Sequence, residues 1–191
     1  MKNVSFLLII SLLTLLVTSC DMPGNVLRST ILEPVQPVLT FGTPTQAIGG
    51  NSDQILAQTF TVQRDGFLTG IYLPLGCSDG ILNIEIRDVE ENLPGTVVLS
   101  ESSYEADEIR SGVTIFELLR FPEVSVEAGL KLSFVLRNDS GSCGMSRAPE
   151  GDTYSGGEAY YDARPNAPGW RPLTIGTGIH DLVFLVVMEL Y

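Results

Sequence analysis

Histidine, the side chain that most often acts as a general base, occurs once in this chain of 191 residues. Its single histidine, His180, stands next to Asp181, and a serine- or cysteine-dependent mechanism would have to use that histidine. We interpret His180 as a polar residue at the start of the last strand. We therefore predict a protein without catalytic residues, which is not an enzyme.

Carboxylates are abundant and cluster at residues 88–91 and 101–108. A glycoside hydrolase would need two carboxyl groups at a defined separation across a cleft, and a calcium ion would need several oxygen ligands. The chain has 23 acidic and 11 basic residues, a formal charge of −12, so we interpret these clusters as solvated surface and predict no metal and no cofactor.

The same negative charge repels a polyanion, which argues against a nucleic-acid partner.

The best candidate for a binding site is the irregular stretch 137–171. It contains three of the six tyrosines, the single tryptophan and four of the nine arginines. Aromatic faces bury the apolar side of a sugar ring, and long loops commonly carry binding residues. The alternative is that Tyr160 and Trp170 belong to the core and cover a sheet edge. The candidate ligand-binding residues are Arg147, Tyr154, Tyr161, Arg164 and Trp170.

Short alternating segments predict the elements that position these residues. Apolar and polar side chains alternate between residues 82 and 87 and again between 130 and 137, which is typical of half-buried strands. The last run, residues 182–191, is apolar on both faces and predicts a strand inside a sheet. The mature chain shows no pattern for a helix of normal length. We therefore predict an all-β fold, an antiparallel two-sheet sandwich that is jelly-roll-like and has about eight or nine strands.

The first twenty residues have the layout of an export signal. Lys2 precedes an apolar stretch of about 14 residues and then small residues, as in secretory signal peptides. Val17, Thr18, Ser19 and Cys20 resemble the lipobox of bacterial lipoproteins, which implies cleavage before Cys20 and acylation of its thiol. Two or three acyl chains hold a protein durably to a membrane. The alternative is an ordinary signal peptide with a chance cysteine nearby.

These features divide the chain into three parts. Residues 1–19 are predicted to be a lipoprotein signal peptide, residues 20–35 the lipidated N-terminus and a tether, and residues 36–191 the β-sandwich domain. The tether segment lacks a strong periodicity and contains Pro23, Gly24 and Pro34. We expect the mature protein outside the cytoplasm with its lipid in a bacterial membrane, and the sequence is compatible with either the inner or the outer membrane.

If Cys20 is acylated, two cysteines remain. Cys77 and Cys143 both stand among turn-forming residues. Because thiols outside the cytoplasm tend to oxidise, we predict a disulfide bond between them. The alternative is two unrelated thiols, of which one or both are buried.

Several segments occur in an order that resembles a family of bacterial surface modules. In chain order they read ILAQTFTV, LPGTVV, VEAGLKLSFVL, GGEAYY, GW and DLVFLV. Together they are similar to the extracytoplasmic β-sandwich modules called choice-of-anchor domains, over about residues 50–190. The resemblance implies a jelly-roll-like domain that occurs with various membrane or wall anchors, and the family has no established common activity.

The sequence thus predicts a lipid-anchored, non-catalytic recognition module whose partner is a glycan or another envelope protein. One alternative is a structural or assembly lipoprotein that binds an envelope protein. A second alternative is a glycoside hydrolase. A glycan-binding module predicts exposed aromatic side chains near Trp170, whereas a hydrolase predicts paired carboxylates in a cleft.

Overall fold

A computed structural model describes residues 28–34, 45–109, 112, 114–164, 167–176 and 178–191 of the chain. The predicted signal peptide, Cys20 and residues 20–27 and 35 of the predicted tether lie outside these described residues. Within the described part, no helix is long and apolar enough to cross a bilayer.

The described residues form fourteen β-strands and two short 3-10 turns, which confirms the all-β prediction. The strand count exceeds the predicted one because several strands have only two to six residues, too few to show a clear alternation. The strands are β1 (Ser29–Pro34), β2 (Thr45–Gly49), β3 (Gln54–Thr61), β4 (Gly66–Asp79), β5 (Ile81–Glu90), β6 (Leu93–Glu105), β7 (Phe116–Val126), β8 (Lys131–Asn138), β9 (Ser142–Ser146), β10 (Ala159–Ala163), β11 (Ala167–Pro172), β12 (Thr174–Ile175), β13 (Gly178–Ile179) and β14 (Leu185–Leu190).

Twelve of these strands belong to one antiparallel sheet that curls into two facing layers. The first layer has the order β1-β14-β4-β7. The second has the order β6-β5-β8-β3-β10-β11, and β2 meets β3 at Gly49 and pairs with β9 on its other side. The long strand β4 joins the layers, because its beginning pairs with β14 and β7 and its end pairs with β9. The small β12–β13 hairpin forms a separate sheet.

The core lies between the layers, where the inward side chains of each strand meet. Phe60 of β3, Phe134 of β8 and Phe184 just before β14 are fully buried and contact one another. Their ring centroids are 5.3 to 6.4 Å apart, in the tilted and edge-on geometries that aromatic rings prefer. Val186 and Val187 point to opposite faces of β14, and both are buried, as the doubly apolar last run predicts.

Strand β1 lies within the segment predicted as a tether. Residues 29–34 pair with β14 along their whole length. The segment ends in a proline and is too short to show a clear alternation of apolar and polar side chains. It becomes a strand because its backbone pairs with the edge of β14. The preceding residue, Arg28, donates to the carboxylate of Glu123 at 2.5 Å and lies 4.1 Å from the ring centroid of Phe67.

The predicted disulfide bond joins Cys77 and Cys143, which face each other on β4 and β9. The Asn138 amide donates to the sulfur of Cys143 at 3.2 Å. The bond links positions 66 residues apart and ties the end of β4 to the second layer. It therefore supports the point at which the sheet passes from one layer to the other.

Replacing both cysteines by serine should lower the free energy of unfolding by about 4 kcal/mol, because the unfolded chain then regains the entropy of a 66-residue loop. Urea unfolding followed by the fluorescence of the single tryptophan measures the loss. Wild-type protein reduced with dithiothreitol is the control and should lose a similar amount. An unchanged urea midpoint in both samples would contradict the prediction.

Candidate functional site

A groove crosses the outer face of the second layer. Side chains alternate along β3, so Phe60 packs in the core while Thr59 and Thr61 face the groove. Tyr160 of β10 lies on the same outer face. Residues 89–94 at the tip of the β5–β6 hairpin line one side of the groove, and the loop 152–158 lines the other.

The groove consists of two adjoining cavities of about 490 and 500 Å³, which share Glu91. Hydroxyl, amide, carboxylate and ammonium groups surround them, next to the indole of Trp170. The exposed polar side chains lining the two cavities are Glu90, Glu91, Asn92, Lys131, Asp152, Ser155 and Glu158.

Trp170 and Tyr160 supply the aromatic surface. Tyr160 is buried against Ala57 and Val135, and half-buried Trp170 packs against this same small cluster. The Tyr160 hydroxyl donates to the Glu158 carboxylate at 2.9 Å, and burial together with that neighbouring carboxylate raises the pKa of Tyr160. Trp170 therefore covers part of the sheet and also lines the groove.

Short-range contacts hold the hairpin tip in place. Glu91 and Asn92 have left-handed φ angles of 50° and 67°, as the central residues of a tight two-residue hairpin turn require. Lys131 at the start of β8 donates to the Asn92 side chain at 3.2 Å. The carboxylate of Asp88 accepts the Val97 N–H at 3.1 Å, which joins the two strands of the hairpin.

The opposite loop depends on a buried carboxylate. Asp181 is 2% exposed, and its carboxylate accepts the N–H groups of Thr153 at 2.9 Å and Tyr154 at 3.0 Å, and the Thr153 hydroxyl at 3.2 Å. It also accepts the amide of Gln58 at 3.2 Å, whose oxygen in turn accepts the Leu182 N–H at 2.9 Å. Burial raises the pKa of Asp181, and these donors offset part of that rise.

The sequence patterns do not predict this network, and they single out Asp181 only as the neighbour of His180. Gln58 and Asp181 are 123 residues apart, and each stands next to a fully buried apolar residue, Ala57 or Leu182. The only signal is a polar residue at an inward-facing strand position, because such a group must find a partner within the fold.

The other predicted ligand-binding residues are dispersed. The Tyr154 hydroxyl accepts the Thr61 N–H at 3.0 Å and its ring meets Phe184 edge-on, so this side chain fixes the loop to the core. Tyr161 packs partly buried against the core between the layers. The backbone of Arg147 forms an isolated β-bridge with that of Leu182. The Arg164 guanidinium donates to the carboxylate of buried Asp162 at 2.8 Å. Of the five predicted residues, Trp170 alone lines the groove.

His180 and Ser78 have structural hydrogen bonds. His180 is 7% exposed, and its Nδ1 lies 3.1 Å from the Ala148 carbonyl oxygen. Ser78 stands in a Gly-x-Ser-x-Gly sequence, the spacing found around the nucleophile of many serine hydrolases. It lies within β4 rather than on a strand-to-helix turn, and its one hydroxyl proton is shared between the Asp79 carboxylate at 2.8 Å and the Ser142 carbonyl at 3.0 Å.

A further cavity of about 280 Å³ lies at the opposite end of the second layer, beside Glu105 and Asp139. Its one aromatic side chain is Tyr104. The Tyr104 hydroxyl donates to the Arg120 carbonyl at 2.5 Å and accepts the Arg120 N–H at 2.6 Å. Its hydrogen bonds are therefore made within the fold rather than offered to a ligand. The groove is therefore the better candidate for a binding site.

Comparisons with protein-family models and with curated proteins find no match for this chain. The resemblance to choice-of-anchor domains accordingly stays a prediction. The functional argument rests on the groove and on the sequence patterns.

Replacing Asp181 by alanine should lower the free energy of unfolding by at least about 2 kcal/mol, since four hydrogen-bond donors lose their acceptor and a buried donor left without one costs roughly 1–3 kcal/mol. The matched control is Asp152→Ala in the same loop, an exposed residue whose replacement should change stability by less than about 0.5 kcal/mol. Equal losses in the two variants would contradict the role given to Asp181.

The difference in stability between wild type and Asp181→Asn should depend on pH. Because the folded-state pKa of Asp181 is raised, the folded protein binds this proton more tightly than the unfolded chain does. The stability linked to that proton is present below the ordinary value of 3.8 and is lost as the pH rises through the folded-state pKa. Urea unfolding of both proteins should therefore show the wild-type advantage growing toward acid pH, and a growing advantage toward alkaline pH would reverse the assignment.

Proposed function

We propose that this protein is a lipid-anchored, extracytoplasmic β-sandwich that binds a carbohydrate in the groove and catalyses no reaction. The observation that carries the proposal is half-buried Trp170 at the side of an open groove, surrounded by polar side chains. A pyranose has an apolar face and a rim of hydroxyl groups, so it needs an aromatic surface and hydrogen-bonding groups at the same site. The groove offers both.

The polar side chains suit hydroxyl groups rather than one fixed charge. Carboxylates such as Asp152 and Glu158 accept hydrogen bonds from hydroxyls, Lys131 donates, and Asn92 does both. Specific sites of this kind combine apolar surface with a few positioned polar groups. Because the two cavities adjoin at Glu91, the site is elongated, which favours an oligosaccharide over a single sugar.

Two observations support the anchor and the compartment. The sequence from Val17 to Cys20 has the lipobox pattern after an apolar segment. The Cys77–Cys143 bond suits an oxidising compartment, because disulfides in reducing cytosol are rare.

An exposed apolar segment favours the alternative of a protein-binding assembly lipoprotein. Val97, Val98 and Leu99 are 52%, 41% and 44% exposed. They lie on β6, which among the described strands pairs only with β5 and so forms an edge of the second layer. Exposed apolar edges are typical protein-binding sites. Crosslinking in cells through a photoreactive residue at position 97 tests this candidate, and recovery of uncrosslinked monomer alone would count against it.

Trp170→Ala should weaken binding of the glycan at least about tenfold, or about 1.4 kcal/mol, because it removes the aromatic surface. A glycan array identifies the ligand, and titration calorimetry measures the affinity. The control is Phe116→Ala, an exposed aromatic residue on β7 in the other layer. In the wild type, bound sugar should also change the fluorescence of this single tryptophan.

A second pair of variants covers the case that Trp170→Ala fails to fold. Asp152→Asn removes a groove carboxylate, and Asp107→Asn removes an exposed carboxylate outside it. The first should weaken binding and the second should not. No hit on a broad array, or equal affinity in both variants, would overturn the carbohydrate proposal. Release of shorter sugars from the ligand would instead support the glycoside hydrolase.

Cys20→Ser should abolish acylation and move the protein from the membrane fraction to the soluble fraction, because no acyl chain then holds it. Intact mass spectrometry of the wild type from its native host should show a chain that begins at Cys20 and carries acyl chains. Ser19→Ala, which keeps a small residue before the cysteine, is the control and should stay acylated. Wild type that retains Met1 and carries no acyl group would refute the anchor.

A further inference from the structure

One end of the sandwich carries the start of the described chain. In the first layer, Ser29 lies opposite Leu190, and Glu189 lies opposite Phe67. Gly66, at the start of β4, lies opposite Val126, at the end of β7. These residues form one end of the layer, which we call the Arg28 end.

The groove opens at this same end. Two connections, residues 62–65 and 127–130, cross there from one layer to the other and bind each other: the Val62 N–H donates to the Leu130 carbonyl at 2.9 Å, and the Gly129 N–H donates to the Val62 carbonyl at 2.8 Å. Directly behind them in the second layer, Thr61 pairs with Lys131, and both residues line the groove. The hairpin tip reaches the same position through the contact between Lys131 and Asn92.

The chain is fixed where it leaves this end. Arg28 donates to the carboxylates of Glu123 at 2.5 Å and Glu189 at 3.4 Å, and its guanidinium stacks on Phe67. Only eight residue steps separate Arg28 from Cys20. Even fully extended, they span at most about 28 Å.

We propose that the Arg28 end faces the membrane that holds the lipid, so that the groove is presented to that surface and takes glycans displayed on it. The inference rests on the lipid anchor of the proposed function. β3 has eight residues, so the far end of the sandwich stands about 26 Å further from the bilayer. A tether this short cannot let the two ends exchange places freely.

Charge does not supply this orientation. The described ionisable side chains at the Arg28 end include the basic residues Arg28, Arg64 and Lys131 and the acidic residues Asp65, Glu90, Glu91, Glu123, Glu127 and Glu189. Their sum is negative, so anionic headgroups do not attract this end. The orientation follows from the length of the tether and from the place where it joins the domain.

Fluorescence energy transfer from the domain to the bilayer tests the proposal. The natively acylated protein is reconstituted in phosphatidylcholine vesicles that contain an acceptor dye on the headgroup. A donor dye is placed on Glu127→Cys at the Arg28 end or on Asp107→Cys at the far end, while Cys77 and Cys143 stay bonded. Transfer from position 127 should be at least about twofold more efficient, given about 26 Å between the ends. Equal or greater transfer from position 107 would overturn the orientation.

A longer tether separates this explanation from direct docking. A 20-residue Gly/Ser segment inserted between residues 27 and 28 adds a flexible reach of about 25 Å, so the transfer from both positions should fall and converge. A persisting twofold preference would show that the surface itself docks and would overturn the tether explanation. Flotation with the vesicles checks the anchor separately: wild type that does not float disproves the lipid, whereas floating protein with reversed transfer disproves only the orientation.

Discussion

Burial of the inward side chains between the two layers is the interaction on which every other feature depends. The three contacting phenylalanines come from β3, β8 and the approach to β14, so their packing joins both layers. The sheet can enclose this core because β4 pairs first with β14 and β7 and then with β9. The Cys77–Cys143 bond lies at the second of these pairings, where loss of the strand would open the core to water.

The groove depends on the alternation of side chains between the core and the outer face of each strand. Each strand that sends one residue into the core sends the next to the outer face, so Thr59 and Thr61 become groove residues because Phe60 is a core residue. The core also positions the groove's wall: Asp181 is buried beside Gln58, and its carboxylate holds Thr153 and Tyr154 at the base of the loop. A polar group inside the fold thereby sets the shape of a surface outside it.

The register of the strands links the proposed anchor to the groove. β1 pairs with β14 in a register that leaves Arg28 at the end where the groove opens. A lipid a few residues before Arg28 would therefore act on the position of the groove and not only on the location of the protein. For an acidic domain that anionic headgroups repel, such a tether is a means of bringing a binding site close to a membrane.

Local patterns in the sequence predicted the all-β fold and the strands around residues 82–87 and 130–137, because alternation records which face of a strand is buried. They also predicted the disulfide, since two thiols remained for an oxidising compartment. Strand β1 and the Gln58–Asp181 network were decided only by the tertiary structure. The same holds for the groove, whose residues range from Thr59 to Trp170. Edge pairing, buried polar contacts and surface shape all depend on partners far apart in the chain, and a local pattern carries no information about them.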